Sequence, residues 1–474
     1  MGNAIDTSES NEKKEQELEN ISSTAVQPEA IGDIESVEIN FAQGDCAGIT
    51  QISFYQDWFK ADSDLYNHNL CQLCSQFIMI GYDTEVKDPE KQTGFEYTKV
   101  AVKTALEAIG MKDIIINPQT EYDQVNFFIA NRKINVAHKE YTLVFTGMIG
   151  SHYEQWYSNF DSDMGRVHKG FNNARYYVFE KLRKYIEALN TNRRDVKLLI
   201  TGHSRGAAAA NLLAAQMISE EIYAKKENIF AYTFATPNPT MLSERNDLKY
   251  NRIYNIVNPE DFVTYCMPEL WGFGRYGTTL ALPNKDNVEN FSKYLKNMNA
   301  YFYNFYDHKK YVPFKNGQKT VNKLVESIYS EATTVEEFYE KPLMCLGTET
   351  TIQQFFSQTL CAIVGEREGS SLSDKGTKIL LNTFMKRRDT SPAIKAIADF
   401  FVLYEGIGSK TTGTISDTYF SFAHCAHTYC AFTLSITEEE LMSVQKNDVH
   451  EEDEEKEEPK PNVIKSLFKK VFKK

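Results

Sequence analysis

Residues 196–210 read Val196-Lys-Leu-Leu-Ile-Thr201-Gly202-His203-Ser204-Arg205-Gly206-Ala207-Ala-Ala-Ala210. The aliphatic run Val196–Thr201 has the make-up of a buried strand, and the small-residue run after it continues as a helix over Ser204–Ser219. Between them, Gly202-His203-Ser204-Arg205-Gly206 matches G-x-S-x-G. A bare match to that pattern is weak. A strand leading in and a helix leading out supply the strand–turn–helix setting that a nucleophile elbow needs. Glycines at 202 and 206 let the chain turn tightly, so that the Ser204 hydroxyl projects from the top of a sheet. The free amides and dipole at the start of the helix then favour negative charge developing beside it.

A serine hydroxyl becomes a nucleophile only when a base takes its proton and an acid orients the base. After such an elbow the acid comes next in the chain and the histidine last. Asp261 meets the first requirement, because the strand-like run Arg252–Val257 leads into Asn258-Pro259-Glu260-Asp261. Glu260 would point the other way along an extended chain. Four histidines follow Ser204. His450 lies in an acidic run and is set aside, and His308 lies in the polar segment Tyr306-Asp307-His308-Lys309-Lys310. His424 and His427 share the apolar segment Ser421–Ile436, and chain order alone does not separate them.

Outward from the elbow, Val125–Ala130, Tyr141–Phe145, Phe230–Ala235 and Arg252–Val257 read as strands. The segments Leu65–Gly81, Tyr97–Ile109 and Phe171–Leu189 read as helices, and 35–54 as a pair of alternating strands. This order predicts an α/β sheet covered by helices. From about 284 to 414 the chain turns polar and helix-like, and the expected organisation follows. Residues 36–283 form a core, 284–414 a helical insertion or cap, 415–440 return to the core, and 441–474 form an acidic linker with a terminal helix.

The chain has 474 residues and a formal net charge of −13. The charge is uneven: residues 1–35 carry −7, and 1–34 are expected to be a disordered acidic tail, whereas the acidic run 451–458 is balanced by lysines so that 450–474 sum to zero. A mildly acidic body argues against nucleic acid as a partner. Eight cysteines are present, and the Cys71/Cys74 pair has no second pair at zinc-ligand spacing, so no metal is expected. There is no apolar h-region at the start and no run long enough to span a membrane. Asp6 replaces the Ser or Thr that a myristoylation signal wants. A cytoplasmic chain, peripheral at a membrane, is the expectation. The membrane component comes from Val463–Lys474, where Val463, Ile464, Leu467, Phe468, Val471 and Phe472 fall on one half of a helical wheel and lysines on the other. Residues 462–474 are thus a candidate contact with an anionic surface. Oligomeric state is not legible.

Several blocks together resemble the class 3 (fungal-type) lipase family of the α/β-hydrolase superfamily, in particular its branch from gut Firmicutes. They are Tyr141-Thr-Leu-Val-Phe-Thr-Gly147, Glu154-Gln-Trp-Tyr-Ser-Asn-Phe160, Val167-His-Lys-Gly-Phe171, the elbow itself, Thr233-Phe-Ala-Thr-Pro237 and Asn255-Ile-Val-Asn-Pro-Glu-Asp-Phe-Val263. The resemblance implies an α/β-hydrolase fold with a large, mostly helical insertion between acid and base. It implies a Ser204–His424–Asp261 triad, because His424-Cys-Ala-His-Thr-Tyr429 has the spacing of the family's terminal histidine block. It places the oxyanion donors at the backbone amides of Met148 and Arg205. Thr146-Gly147-Met148 stands where the family has an Arg-Gly-Thr turn, so the side-chain hydroxyl is missing. The implied activity is hydrolysis of lipid esters through an acyl-enzyme, without a cofactor. A phospholipase A1, a short-chain esterase and a catalytically weak membrane-associated binding protein are the alternatives.

Overall fold

The computed structural model describes residues 35–43, 46–82, 99–117, 124–150, 158–159, 165–306, 308–313, 318–329, 332, 334–340, 342–345, 348–351 and 420–445. The expected acidic tail, the 352–419 part of the insertion and the basic terminal helix lie outside these residues.

A hairpin of β1 (Glu35–Gln43) and β2 (Cys46–Phe54) opens the described chain. Helices α1 (His68–Ile80) and α2 (Lys99–Ala108) follow. The central sheet then begins with β3 (Lys112–Asn117), β4 (Asn126–Val136) and β5 (Lys139–Ile149), which are antiparallel. Helix α3 (Lys169–Ala188) leads to β6 (Val196–His203), and α4 (Arg205–Glu220) leads to β7 (Ile229–Phe234). Strands β8 (Ile253–Val257) and β9 (Thr278–Ala281) complete the seven-stranded sheet in the order β3-β4-β5-β6-β7-β8-β9. From β5 to β9 every pairing is parallel. This mixed sheet, with the elbow between β6 and α4, is the α/β-hydrolase arrangement.

Each face of the sheet has its own apolar core. Val196, Leu198 and Ile200 of β6 point to α3 and α4, whereas Leu199 points to α1 and its neighbours. All eight residues of β6 are buried, as expected of a parallel strand covered on both faces, which is why it reads as one apolar run. The alanines 207–210 are fully buried, and their small side chains let α4 approach the sheet closely.

The remaining described elements are α5 (Phe291–Phe305), α6 (Gln318–Tyr329), α7 (Val335–Glu340), the hairpin β10 (Pro342–Cys345) and β11 (Thr348–Thr351), and then α8 (Phe420–His424) and α9 (Ala426–Ser435). Helix α5, which the sequence reading assigns to the insertion, belongs to the core of the body. Its Met298, Phe302 and Phe305 are buried in the same cluster as α1 and α9. The polar letters that suggested a cap lie on its other faces. The segment 421–436, read only as apolar, is two short helices broken at Cys425.

Strands β3 and β9 are absent from the sequence reading. Both are edge strands, and β9 has only four residues. Strand β3 begins irregularly, with Asp113 at φ 49° and a register shift between Lys112 and Ile115. Cys71 and Cys74 are free and buried within α1, and burial pushes the Cys71 thiol up to about 12. No helix among the described residues is long and apolar enough to cross a membrane.

Candidate active site

Ser204 sits between β6 and α4 with φ 58° and ψ −128°, a strained backbone conformation for a residue bearing a Cβ. Such outliers persist where the surroundings over-determine them. Here the Ser204 amide donates to the Phe234 carbonyl of β7 at 3.0 Å. Close packing sets the rest: a Cβ on Gly206 would lie 2.2 Å from the Met148 carbonyl oxygen, and one on Gly202 would lie 2.4 Å from the Gly206 carbonyl oxygen. A side chain at either position would push the turn open and move the hydroxyl.

His424 closes helix α8. Its Nε2 lies 2.8 Å from Ser204 Oγ, and its Nδ1 lies 2.9 Å from Asp261 Oδ2. Since a carboxylate only accepts, Nδ1–H donates to Asp261 and Nε2 is left to accept the Ser204 proton. Asp261 is fully buried and caps the short turn Phe262–Tyr265, with Oδ1 accepting from the Val263 amide at 2.9 Å. Oδ2 accepts a second bond, from the Tyr429 hydroxyl at 2.7 Å. That hydroxyl in turn accepts from the Asn258 amide at 2.9 Å, and the Asn258 side chain donates to the Ala423 carbonyl at 3.0 Å. The acid loop and the helices carrying the base are therefore tied together on both sides of the imidazole. Burial, then the Asp261 charge, push the Tyr429 hydroxyl well above its ordinary pKa, so it stays a donor.

The other candidates lie elsewhere. His427, three residues on, is on the far side of the break at Cys425. Its Nδ1 meets Cys425 Sγ at 3.0 Å, and its ring packs between Phe41 and Tyr306. His308 stacks near Tyr303 in a turn after α5, and His450 lies outside the described residues. Glu260 is buried and accepts from the Tyr311 hydroxyl at 3.1 Å.

Thr146-Gly147-Met148, likened above to a turn, is strand. Strand β5 keeps its partners on both sides through Ile149, with Met148 level with Phe127 of β4 and Gly202 of β6. Arg205 is the first residue of α4, and its guanidinium has a role the sequence reading did not assign. It is buried and donates to the Gln124 carbonyl at 3.1 Å, Asn159 Oδ1 at 3.0 Å and the Gly170 carbonyl at 2.8 Å. A charged side chain directly after the nucleophile thus clamps segments from β4 to α3. Asn211 of α4 likewise reaches Asn255 of β8 at 2.9 Å, and Thr233 of β7 reaches the same side chain at 2.8 Å.

Two buried histidines near the site make the fold acid-sensitive. Burial holds His427 at about 3, and burial with the adjacent Arg205 charge holds His168 at about 3. The unfolded chain takes up these protons first, so their stabilisation is complete above the ordinary value of 6.5 and is lost as pH falls towards 3. Each should cost roughly 3 kcal/mol by about pH 4. Urea unfolding is expected to show a free energy several kcal/mol lower there than at neutrality. Equal values at the two pH values would contradict this.

Residues 140–271 match the family model described as Lipase (class 3). Over this segment the chain is similar to that family. The family is one of carboxylic-ester hydrolases. The class 3 lipase match runs from β5 to the turn at Glu269–Trp271, so it contains Ser204 and Asp261 and stops before the helices that bear His424. Solved structures include the triacylglyceride lipase of Rhizomucor miehei, at 22% identity over 38% of this chain and 69% of that one, TM-score 0.30. The lipase of Rhizopus microsporus var. chinensis is 19% identical over 38% of this chain and 64% of its own, TM-score 0.30. A triacylglycerol lipase with a serine protease triad is 21% identical over 45% of this chain and 79% of its own, TM-score 0.31. The chain thus spans about two thirds to four fifths of the length of these enzymes. No curated protein sequence matches the chain.

Proposed function

We propose that this protein is a lipase of the class 3 type that hydrolyses carboxylic esters of lipids, triacylglycerols in the first instance, through a Ser204–His424–Asp261 triad. The observation that carries the reading is the continuous hydrogen-bonded line from Ser204 Oγ through His424 to Asp261 at the nucleophile elbow. Ser204 Oγ attacks the ester carbonyl carbon while His424 Nε2 takes its proton. Asp261 holds the resulting imidazolium. The oxyanion is received by the main-chain amides of Met148 and Arg205. Collapse of the tetrahedral intermediate breaks the C–O bond, and His424 returns the proton to the leaving alcohol. Water, deprotonated by His424, then cleaves the acyl-enzyme to the free acid and the serine. Each step is complete with side chains and water.

Met148 offers no hydroxyl to the oxyanion. A full donor there can be worth about 3–4 kcal/mol. The Arg205 amide, at the start of α4 directly after the nucleophile, is the donor the local geometry favours, and Met148, paired on both sides in β5, would need its amide turned out of the ladder to join it. The expected result is that a fluorophosphonate labels Ser204 and that emulsified triacylglycerol is hydrolysed faster than phosphatidylcholine or a monomeric short-chain ester. Preference for either of the latter substrates would move the assignment to a phospholipase A1 or an esterase. No labelling would move it to a binding module.

Attachment to a lipid surface is assigned to residues 462–474, from the lysine and apolar faces of their helical wheel. Binding to vesicles containing phosphatidylserine is expected to weaken as salt rises and to fall at least tenfold on deletion of 459–474. Undiminished binding by the truncated chain would refute it.

A further inference from the structure

His203 is the unspecified residue of the G-x-S-x-G motif, and the chemistry above makes no use of it. It is the last residue of β6, its side chain is buried, and both ring nitrogens are engaged. Nδ1 lies 2.8 Å from the hydroxyl of Tyr82, just beyond the end of α1, and Nε2 lies 2.9 Å from the main-chain carbonyl oxygen of His424. A carbonyl can only accept, so Nε2 carries the proton and donates. In a neutral ring Nδ1 is then the acceptor, and the Tyr82 O–H must donate to it. One tautomer satisfies both contacts.

The carbonyl that receives this bond needs one. His424 ends α8, and the last carbonyls of a helix have no partner within it. The Ala423 carbonyl beside it is held by Asn258, and the bond from His203 holds the His424 carbonyl at the point where the helix breaks. The two imidazoles also lie against each other, with centroids 4.9 Å apart and planes tilted by 38°. During the reaction His424 becomes an imidazolium, and a charged neighbour at that distance would oppose it. Burial, and then the proximity of His424, push the His203 ring well below its ordinary pKa. The packed neighbours Tyr82 and Tyr429 are uncharged phenols.

We propose that His203 is a positioning residue for the base: held in its Nε2–H tautomer by Tyr82, it pins the His424 carbonyl and so sets the reach of the His424 ring to Ser204 and Asp261. The inference rests on the triad reading above. It adds a link from α1 through β6 to α8, independent of the Asp261–Tyr429 side of the imidazole. A displacement of about 1 Å in a reacting group can cost on the order of 100-fold in rate.

The test uses the full chain. His203→Leu keeps bulk and removes the donor. It is expected to lower kcat and the fluorophosphonate labelling rate by about 10- to 100-fold, with KM within about threefold. His203→Gln places an amide Nε2 near the imidazole Nε2 and should restore most of the loss. Tyr82→Phe should cost about three- to tenfold in kcat, because the buried Nδ1 loses its donor and the ring is then seated by the carbonyl bond alone. Full kcat in His203→Leu, or a Gln variant as slow as the Leu variant, overturns the proposal. Should the Leu variant not fold, 15N NMR of histidine-labelled wild-type protein decides. The Nε2–H tautomer at His203 from about pH 5 to 8 supports it, and an Nδ1–H tautomer overturns it. Absence of Ser204 labelling in the wild-type protein would instead refute the triad, and the tautomer measurement would still judge the strut.

Discussion

Ser204→Ala is expected to lower kcat for ester hydrolysis by a factor on the order of 10⁴ to 10⁶ and to abolish fluorophosphonate labelling, with the thermal midpoint little changed. The substitution removes one oxygen and keeps the Cβ. The backbone strain at φ 58° and the amide bond to Phe234 therefore survive. What disappears is the attacking atom, and with it the covalent route. The remaining rate is what the oxyanion amides and substrate binding supply to water attack. Because the members of a triad act as a unit, adding His424→Ala to Ser204→Ala should cost little more. A Ser204→Ala enzyme with more than about a hundredth of wild-type kcat would show that another residue carries the chemistry.

Asp261→Asn is the second large effect, about 10³- to 10⁴-fold in kcat with the fold retained. The reason lies in the three donors around the carboxylate. Oδ1 accepts from the Val263 amide, and Oδ2 accepts from both His424 Nδ1 and the Tyr429 hydroxyl. An asparagine that keeps its carbonyl on Val263 turns its NH₂ toward His424. The imidazole must then accept at Nδ1 and carry its proton on Nε2, where it cannot take the Ser204 proton. The flipped amide instead sets NH₂ against the Val263 N–H in a buried site, which is an unsatisfied clash. Either arrangement disables the base without removing any bulk. Tyr429→Phe deletes only one of the three donors and should cost about tenfold or less, so steady-state kinetics on the pair separate tautomer control from general support. An Asp261→Asn enzyme within tenfold of wild type would contradict this.

Much of this site is legible along the chain because its parts are local. The elbow needs two glycines around a serine and a strand and helix on either side, all within about twenty residues. Strand β6 reads clearly because burial on both faces leaves it uniformly apolar. The long helices read clearly because one apolar stripe repeats at helical spacing. Asp261 follows from its place just beyond β8, a buried strand paired on both sides. Edge strands β3 and β9 are not legible, since they are short and paired on one side only. Helix α5 reads as insertion because most of its residues are polar or half-buried, and only the packing of Met298, Phe302 and Phe305 with α9 places it in the core.

Histidines 424 and 427 mark the limit of chain order. They have the same composition around them and differ by three residues. The break between α8 and α9 turns one ring to Ser204 and the other into an apolar pocket. The side chains of Arg205 and His203 had no local signal either, because their partners are 35 to 221 residues away in sequence. The sequence by itself determined the elbow, the sheet that carries it and the acid, since each depends on neighbours in the chain and on the period of burial. Chain order left two imidazoles open, the family resemblance implied His424, and only the tertiary structure shows that ring at the serine and what holds it there. Hydrogen bonds at 2.8 to 2.9 Å between distant segments are a property of packing, and the order of residues does not contain them.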